Sequence, residues 1–204
     1  MDSVERQQAQ SNPGGWWRRL GWATEQVGLC GDLAYGSEGI AQLEGWVDEG
    51  VTHILDLRIE ANDEQLVSTV APQLTYFWHG ADDAGGKQGD EWFASGVAAG
   101  LVALADPKAK LVVHCHMGVN RGPSMAYALL LAQGMGPVEA MVAIREARPI
   151  AAAIYAEEAL EWHLREQGAD QVARRRALME LGAYLDANPV DTSWVISRIR
   201  QVGG

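Results

Sequence analysis

Two hydrophobic rhythms alternate along the chain. Short apolar runs at residues 51–58, 74–78 and 111–113 suit strands buried on both faces of a parallel sheet. His53 lies inside the first of them and reads as structural. Between the runs, apolar positions recur at helical spacing. Ile40, Leu43 and Val47 follow Ser37, a suitable N-cap, and Gly50 is placed to end that helix. Residues 63–70 predict a short helix stopped before Pro72. Phe93, Val97, Leu101 and Leu104 mark a longer one, from Trp92 to Asp106-Pro107. Residues 125–132 form a strongly apolar helix. Gly136-Pro137 opens the next, with proline at a tolerated first position, and Arg145, Glu146 and Arg148 decorate its end. Leu160 and Leu164, then Leu178, Leu181 and Leu185, stripe two helices broken at Gly168, and a last short one spans 192–200. Residues 27–35 alternate loosely and suit one or two short strands around Gly31-Asp32. Strands alternating with helices predict an α/β fold around a central sheet.

One strand-to-helix junction carries chemistry: Val112-Val113-His114-Cys115-His116-Met117-Gly118-Val119-Asn120-Arg121-Gly122-Pro123-Ser124. A loop curled around an anion points successive backbone N–H groups inward, and the following helix adds its positive end. Arg121, at the sixth position after Cys115, is spaced to close that ring with a two-pronged hydrogen bond to phosphate oxygens. The same field is expected to favour the Cys115 thiolate, the nucleophilic form. Gly118 lets the backbone turn sharply toward the anion. The backbone of His116, Met117, Gly118, Val119 and Asn120 is the expected substrate-binding surface.

His-Cys-x5-Arg between a strand and a helix resembles the cysteine-dependent dual-specificity phosphatases. Glu49-Gly50-Val51-Thr52-His53-Ile54-Leu55 is similar to the turn and strand that precede it in that family. The resemblance implies a mostly parallel sheet of four or five strands over residues 27–165, a phosphocysteine intermediate on Cys115, and catalysis without cofactor or metal. It implies that Arg121 stabilises the transition state, and that His114 supports the loop and the thiolate. A leaving oxygen needs a proton, so a carboxylic acid should reach the site from another loop. The family places an aspartate there, and Ala81-Asp82-Asp83 resembles its pattern. Asp83 is the expected acid, with Asp82 second and Asp90 an outsider. Where the family has Ser or Thr after the arginine, this chain has Gly122, and Ser124 matches only its later hydroxyl. Breakdown of the intermediate is therefore the expected slow step.

Composition narrows the remaining options. A net charge of −11 argues against a nucleic-acid surface or a polybasic membrane anchor. Two cysteines, Cys30 and Cys115, make no disulfide framework, and with no evident leader or spanning segment they suggest a cytoplasmic setting. Contiguous His114-Cys115-His116 lacks the spacing of metal ligands. Residues 1–26 read as a polar, disordered arm to about 15 and then a Trp16–Trp22 cluster packed on the domain. Residues 27–165 read as the catalytic domain, and 166–204 as a helical extension. Residues 79–90, rich in glycine and acid, mark an exposed loop. Arg174-Arg175-Arg176 reads as a solvated helix face. The expected substrate is a phosphorylated protein, on tyrosine or on serine and threonine. The alternatives are a weakly active module that reads phosphate, and a phosphatase of phosphoinositides or small molecules. Lysines in the loop, frequent in lipid-phosphate members, are missing here.

Overall fold

The computed structural model describes residues 15–203, so the arm expected over residues 1–14 lies outside it. Five strands form one sheet: β1 (Gly21–Trp22), β2 (Val27–Cys30), β3 (His53–Arg58), β4 (Thr75–Ala81) and β5 (Leu111–His114). Their order is β1-β2-β5-β3-β4. β1 runs antiparallel to β2, and every other pair is parallel. The nearly continuous apolar runs have the cause that parallel strands usually have, a hydrophobic layer on each side.

The strand period of two sorts side chains between those layers. Ile54 and Val112 join Leu43 and Trp46 of α1 (Ser37–Asp48) and Val67 of α2 (Glu64–Val70). Leu55, Leu57, Leu111 and Val113 face the other way, toward α3 (Asp90–Ala103), α4 (Arg121–Ala132), α5 (Pro137–Ala147) and α6 (Ala156–Glu166). Helix α4 is buried over almost its whole length, which explains why its sequence has no polar face. Helix α7 (Gln171–Ala187) packs outside α5 and α6. Helix α8 (Thr192–Gly203) returns Val195 and Ile199 to a third cluster with Trp17, Val119 and Ile150. The Trp16–Trp22 segment thus packs onto the domain, with Trp17 only 2% exposed.

Several boundaries differ from the sequence reading. Strand β2 stops at Cys30, and residues 31–36 are irregular. Ser37 is the first helical residue instead of a cap; Gly36, at φ 65°, precedes it. Strand β4 runs past Trp78 to Ala81, because a register shift near Asp56 and Arg58 lets it stay paired with β3. Arg148 does not decorate a helix end: it is 4% exposed.

Close approach of α3 to α4 depends on two glycines one turn apart. A Cβ on Gly96 would collide with Met125, and one on Gly100 would lie 2.9 Å from Leu129. Gly45 on α1 has nothing within 4 Å of its Cβ position. Replacing Gly100 by Val is expected to destabilise by about 1–3 kcal/mol through overpacking. Gly45→Ala is expected to stabilise by up to about 1 kcal/mol, from helix propensity and a less flexible unfolded chain. Urea denaturation of the two variants reads the opposite signs.

Candidate active site

Cys115 follows β5 on the α4 side of the sheet, at the carboxyl ends of the parallel strands, and is 2% exposed. In the loop that follows, each carbonyl from His116 to Asn120 is engaged by a donor outside the loop or in the helix behind it. Asp32 N–H donates to His116 O at 2.9 Å, and Arg148 donates to Met117 O at 2.9 Å and to Gly118 O at 2.5 Å. Ala152 and Ala153 N–H donate to Val119 O, and Ser124 N–H to Asn120 O. The amides of His116 to Arg121 donate to no group among the described residues. Because each peptide is planar and trans, a carbonyl turned outward leaves the neighbouring amide hydrogen turned inward. Gly118 takes φ 62°, and a Cβ there would strike Arg148 and the Cys30 carbonyl.

Arg121 begins α4 and is 4% exposed. Its two terminal nitrogens grip the Glu60 carboxylate at 2.7 and 2.6 Å, and one of them also donates to Ala81 O at 2.8 Å. Its Nε is buried with no hydrogen-bond partner among the described residues, 3.4 Å from Asp83 Oδ2. Asp83 stands two residues past β4. Its Oδ1 accepts from Asn120 Nδ2 at 2.6 Å and from the Tyr155 hydroxyl at 2.9 Å. Asn120 Oδ1 in turn accepts from Ile154 N–H at 2.7 Å, so Asn120 ties the loop to the residues before α6. Burial, with the Asp83 carboxylate adding to it, pushes the Tyr155 hydroxyl up. Ser124 Oγ accepts from Tyr155 N–H and lies 3.4 Å from Asn120 Oδ1.

Of the anticipated residues, Cys115, Arg121, Asp83 and the backbone of 116–120 converge. Asp82 is exposed, and Asp90 pairs with Arg165 at the surface. His114 does not reach the loop: strand alternation turns its ring to the α1 side, against Trp46 and 3.7 Å from Asp56 Oδ2. Neither ring nitrogen of His114 has a hydrogen-bond partner. The His116 ring faces Asp32 (Nδ1 to Oδ2, 2.8 Å) and is half-exposed at the mouth. Four residues were not anticipated in their present roles: Glu60 opposite Arg121, Tyr155 against Asp83, Arg148 behind the loop and Asp32 beside His116. A charged residue directly before Pro149-Ile150 was the one available signal for Arg148.

Asp56, Asp63 and His114 bring ligand atoms within 4.8 Å of one another. Arg58 donates to Asp56, at 2.6 Å, and to Asp63, and Tyr76 also donates to Asp56. A guanidinium therefore already serves these carboxylates as their cation.

These environments set the acid response. Burial pushes the His114 imidazole down. Burial opposes the ionised forms of Asp32 and Asp56. Hydrogen bonds and neighbouring cationic groups outweigh it and hold both carboxyls below the usual range. Hydrogen bonds from Arg121 hold Glu60 low as well. A base depressed in the folded state contributes stability above its unfolded pKa of about 6.5 and loses it as pH falls below that value. The carboxylates contribute above about pH 4 and lose their share below it. Urea midpoints are therefore expected to fall in two stages on acidification from neutral pH. His114→Asn is expected to flatten mainly the upper stage, leaving smaller slopes from His53 and His163, which burial also depresses.

No protein-family model matches the chain, and no curated protein does. Solved structures do. PTPMT1 in complex with PI(5)P aligns at TM-score 0.60 and 20% identity, over 74% of this chain and 97% of that one. Human DUSP28 aligns at TM-score 0.60 and 19% identity, over 74% and 99%. The human tyrosine phosphatase-like serine/threonine/tyrosine-interacting protein aligns at 0.58 and 16%, over 74% and 99%. The sheet order, the cradle at the carboxyl end of β5 and these alignments together give the chain the fold of dual-specificity and tyrosine phosphatase-like proteins.

Proposed function

We propose that this chain hydrolyses phosphate monoesters through a covalent phosphocysteine, phosphorylated protein side chains being among its substrates. The observation that carries this reading is the loop 116–121. Its carbonyls are held outward and its amides are unpartnered among the described residues, over a cysteine and beside a buried arginine Nε with no hydrogen bond.

Each group has a definite task. The inward amides and Arg121 Nε take the nonbridging oxygens of the phosphoryl group and stabilise their charge in the transition state. The Cys115 thiolate attacks phosphorus, an S–P bond forms, and the ester P–O bond breaks with its electron pair on the leaving oxygen. Asp83 supplies that oxygen's proton. Its Oδ1 is occupied by Asn120 and Tyr155, which leaves Oδ2 as the oxygen that delivers the proton once Arg121 Nε has turned to the phosphoryl group. Water then attacks phosphorus, Asp83 takes a water proton, and the thiolate leaves.

Gly122 bears on the second step. A Cβ there would stand 3.4 Å from Cys115 N, so a serine fits with little displacement. Ser124 already spends its hydroxyl on Tyr155 and Asn120. With an aryl phosphate, rapid-quench kinetics are expected to show a burst followed by slow turnover. Gly122→Ser is expected to raise the steady rate several-fold and shrink the burst. Slow turnover without a burst, unchanged in Gly122→Ser, would contradict the assignment of the slow step. Cys115→Ser is expected to abolish turnover. Asp83→Asn should slow the burst step about a hundredfold or more with a poor leaving group and little with a good one, and lower steady turnover with both. Aryl phosphatase activity that survives Cys115→Ser would overturn the proposed function.

A further inference from the structure

The rim of the cradle has its own chemistry. Three large apolar side chains stand out into solvent on segments that build the site. Ile59, 57% exposed, directly precedes Glu60, the partner of Arg121. Its backbone abuts Gly80, next to the Ala81 carbonyl that also receives Arg121. Ile154, 62% exposed, donates its N–H to Asn120 and directly precedes Tyr155, which holds Asp83. Tyr35, 94% exposed, ends the segment whose Asp32 engages His116. Beside Ile59, the Trp78 indole donates to the carbonyls of Arg58 and Ala61, so that loop is tied down.

Charge on the same rim has one dominant sign. Glu60, Asp82 and Asp83 lie there, at least a third exposed. The neighbouring cations are matched: Arg18 faces Asp32, Arg121 faces Glu60 and Asp83, and Arg148 is turned to carbonyls behind the loop. Lys87 lies on the segment between Asp83 and Asp90, itself bordered by acids. Anion-binding groups are thus concentrated at one point, sized for one phosphoryl group. A second anionic group on the substrate would meet carboxylates, while an apolar carrier would meet Ile59, Ile154 and Tyr35 and remove their surface from water.

Resting on the monoesterase reading, we infer that the site selects monoesters with a single phosphate on an apolar carrier, and rejects carriers with further anionic groups. Ile59 and Ile154 are the specificity-determining residues. The shared chemistry covers an aryl ring and an alkyl chain, and separate substrates distinguish them.

The test compares kcat/KM of the full chain for phenyl phosphate, naphthyl phosphate, dodecyl phosphate and inositol trisphosphate. Naphthyl phosphate is expected to exceed phenyl phosphate by about tenfold, mainly through KM, since added apolar surface is buried. Inositol trisphosphate is expected to fall below dodecyl phosphate, also an alkyl ester, by at least about tenfold. A lower KM for dodecyl than for naphthyl phosphate assigns the alkyl source, and the reverse assigns the aryl one. In the double variant Ile59→Lys with Ile154→Lys, the naphthyl advantage over phenyl phosphate should vanish and inositol trisphosphate should gain relative to phenyl phosphate. Equal use of inositol trisphosphate and naphthyl phosphate, or unchanged ratios in the double variant, would overturn the inference. If no ester is hydrolysed, the monoesterase reading falls instead. Calorimetric affinities of the same compounds for Cys115→Ser protein then decide the rim: naphthyl over phenyl supports it, and parity overturns it.

Discussion

The structure of the site depends on where the carbonyls of one short loop are anchored. Peptide planarity couples each carbonyl to the amide that follows, so pinning the oxygens outward aims the hydrogens inward without further contacts. Arg148 anchors two of the five carbonyls, those of Met117 and Gly118. Its guanidinium reaches Met117 and Gly118 of the loop, and Trp17 and Arg19 of the amino-terminal segment. A planar fork with several donors suits that task, which the single ammonium of a lysine would not perform. Residues 148–155 thus act as the outer mould of the loop, and Ala153, at φ 48°, takes a strained conformation while donating to Val119.

A second constraint is electrostatic. Arg121 is almost wholly buried, and a buried guanidinium without an anion would be costly. Glu60 meets two of its nitrogens, while Nε lies 3.4 Å from Asp83 Oδ2. The arginine is therefore compensated yet keeps one donor for an incoming anion. In a chain of net charge −11, this makes the loop a local exception to the overall sign. Asp83 is fixed from the opposite side by Tyr155 and Asn120, so Asp83, Arg121 and the loop form one connected network.

Much of this was legible in the sequence, for identifiable reasons. Strands β3 and β5 declared themselves because burial on both faces favours near-continuous apolar runs, here Ile54-Leu55 and Leu111-Val112-Val113, and the Cys115-to-Arg121 spacing is local chemistry. Asp83 was distinguishable from Asp82 only by resemblance until the structure brought it to Tyr155. Glu60, Tyr155 and Arg148 reach the site through tertiary folding, and nothing in the local pattern of Glu60 or Tyr155 sets them apart from ordinary surface residues. The end of β4 was misplaced because the register shift that keeps it paired lies in its neighbour β3. The ring of His114 was expected at the loop, but strand alternation settles its side, and the odd-even count along 111–115 already contained that answer.

The most direct test of the cradle is tungstate binding to the full chain, followed by calorimetry and by protection of Cys115 from iodoacetamide. Tungstate serves as a tetrahedral oxyanion that cannot be hydrolysed. The account predicts one site per chain, protection of Cys115 on saturation, and loss of both in Arg121→Met protein that still unfolds cooperatively. Alkylation of Cys115 at the same rate with and without saturating tungstate, or binding indifferent to Arg121, would contradict it.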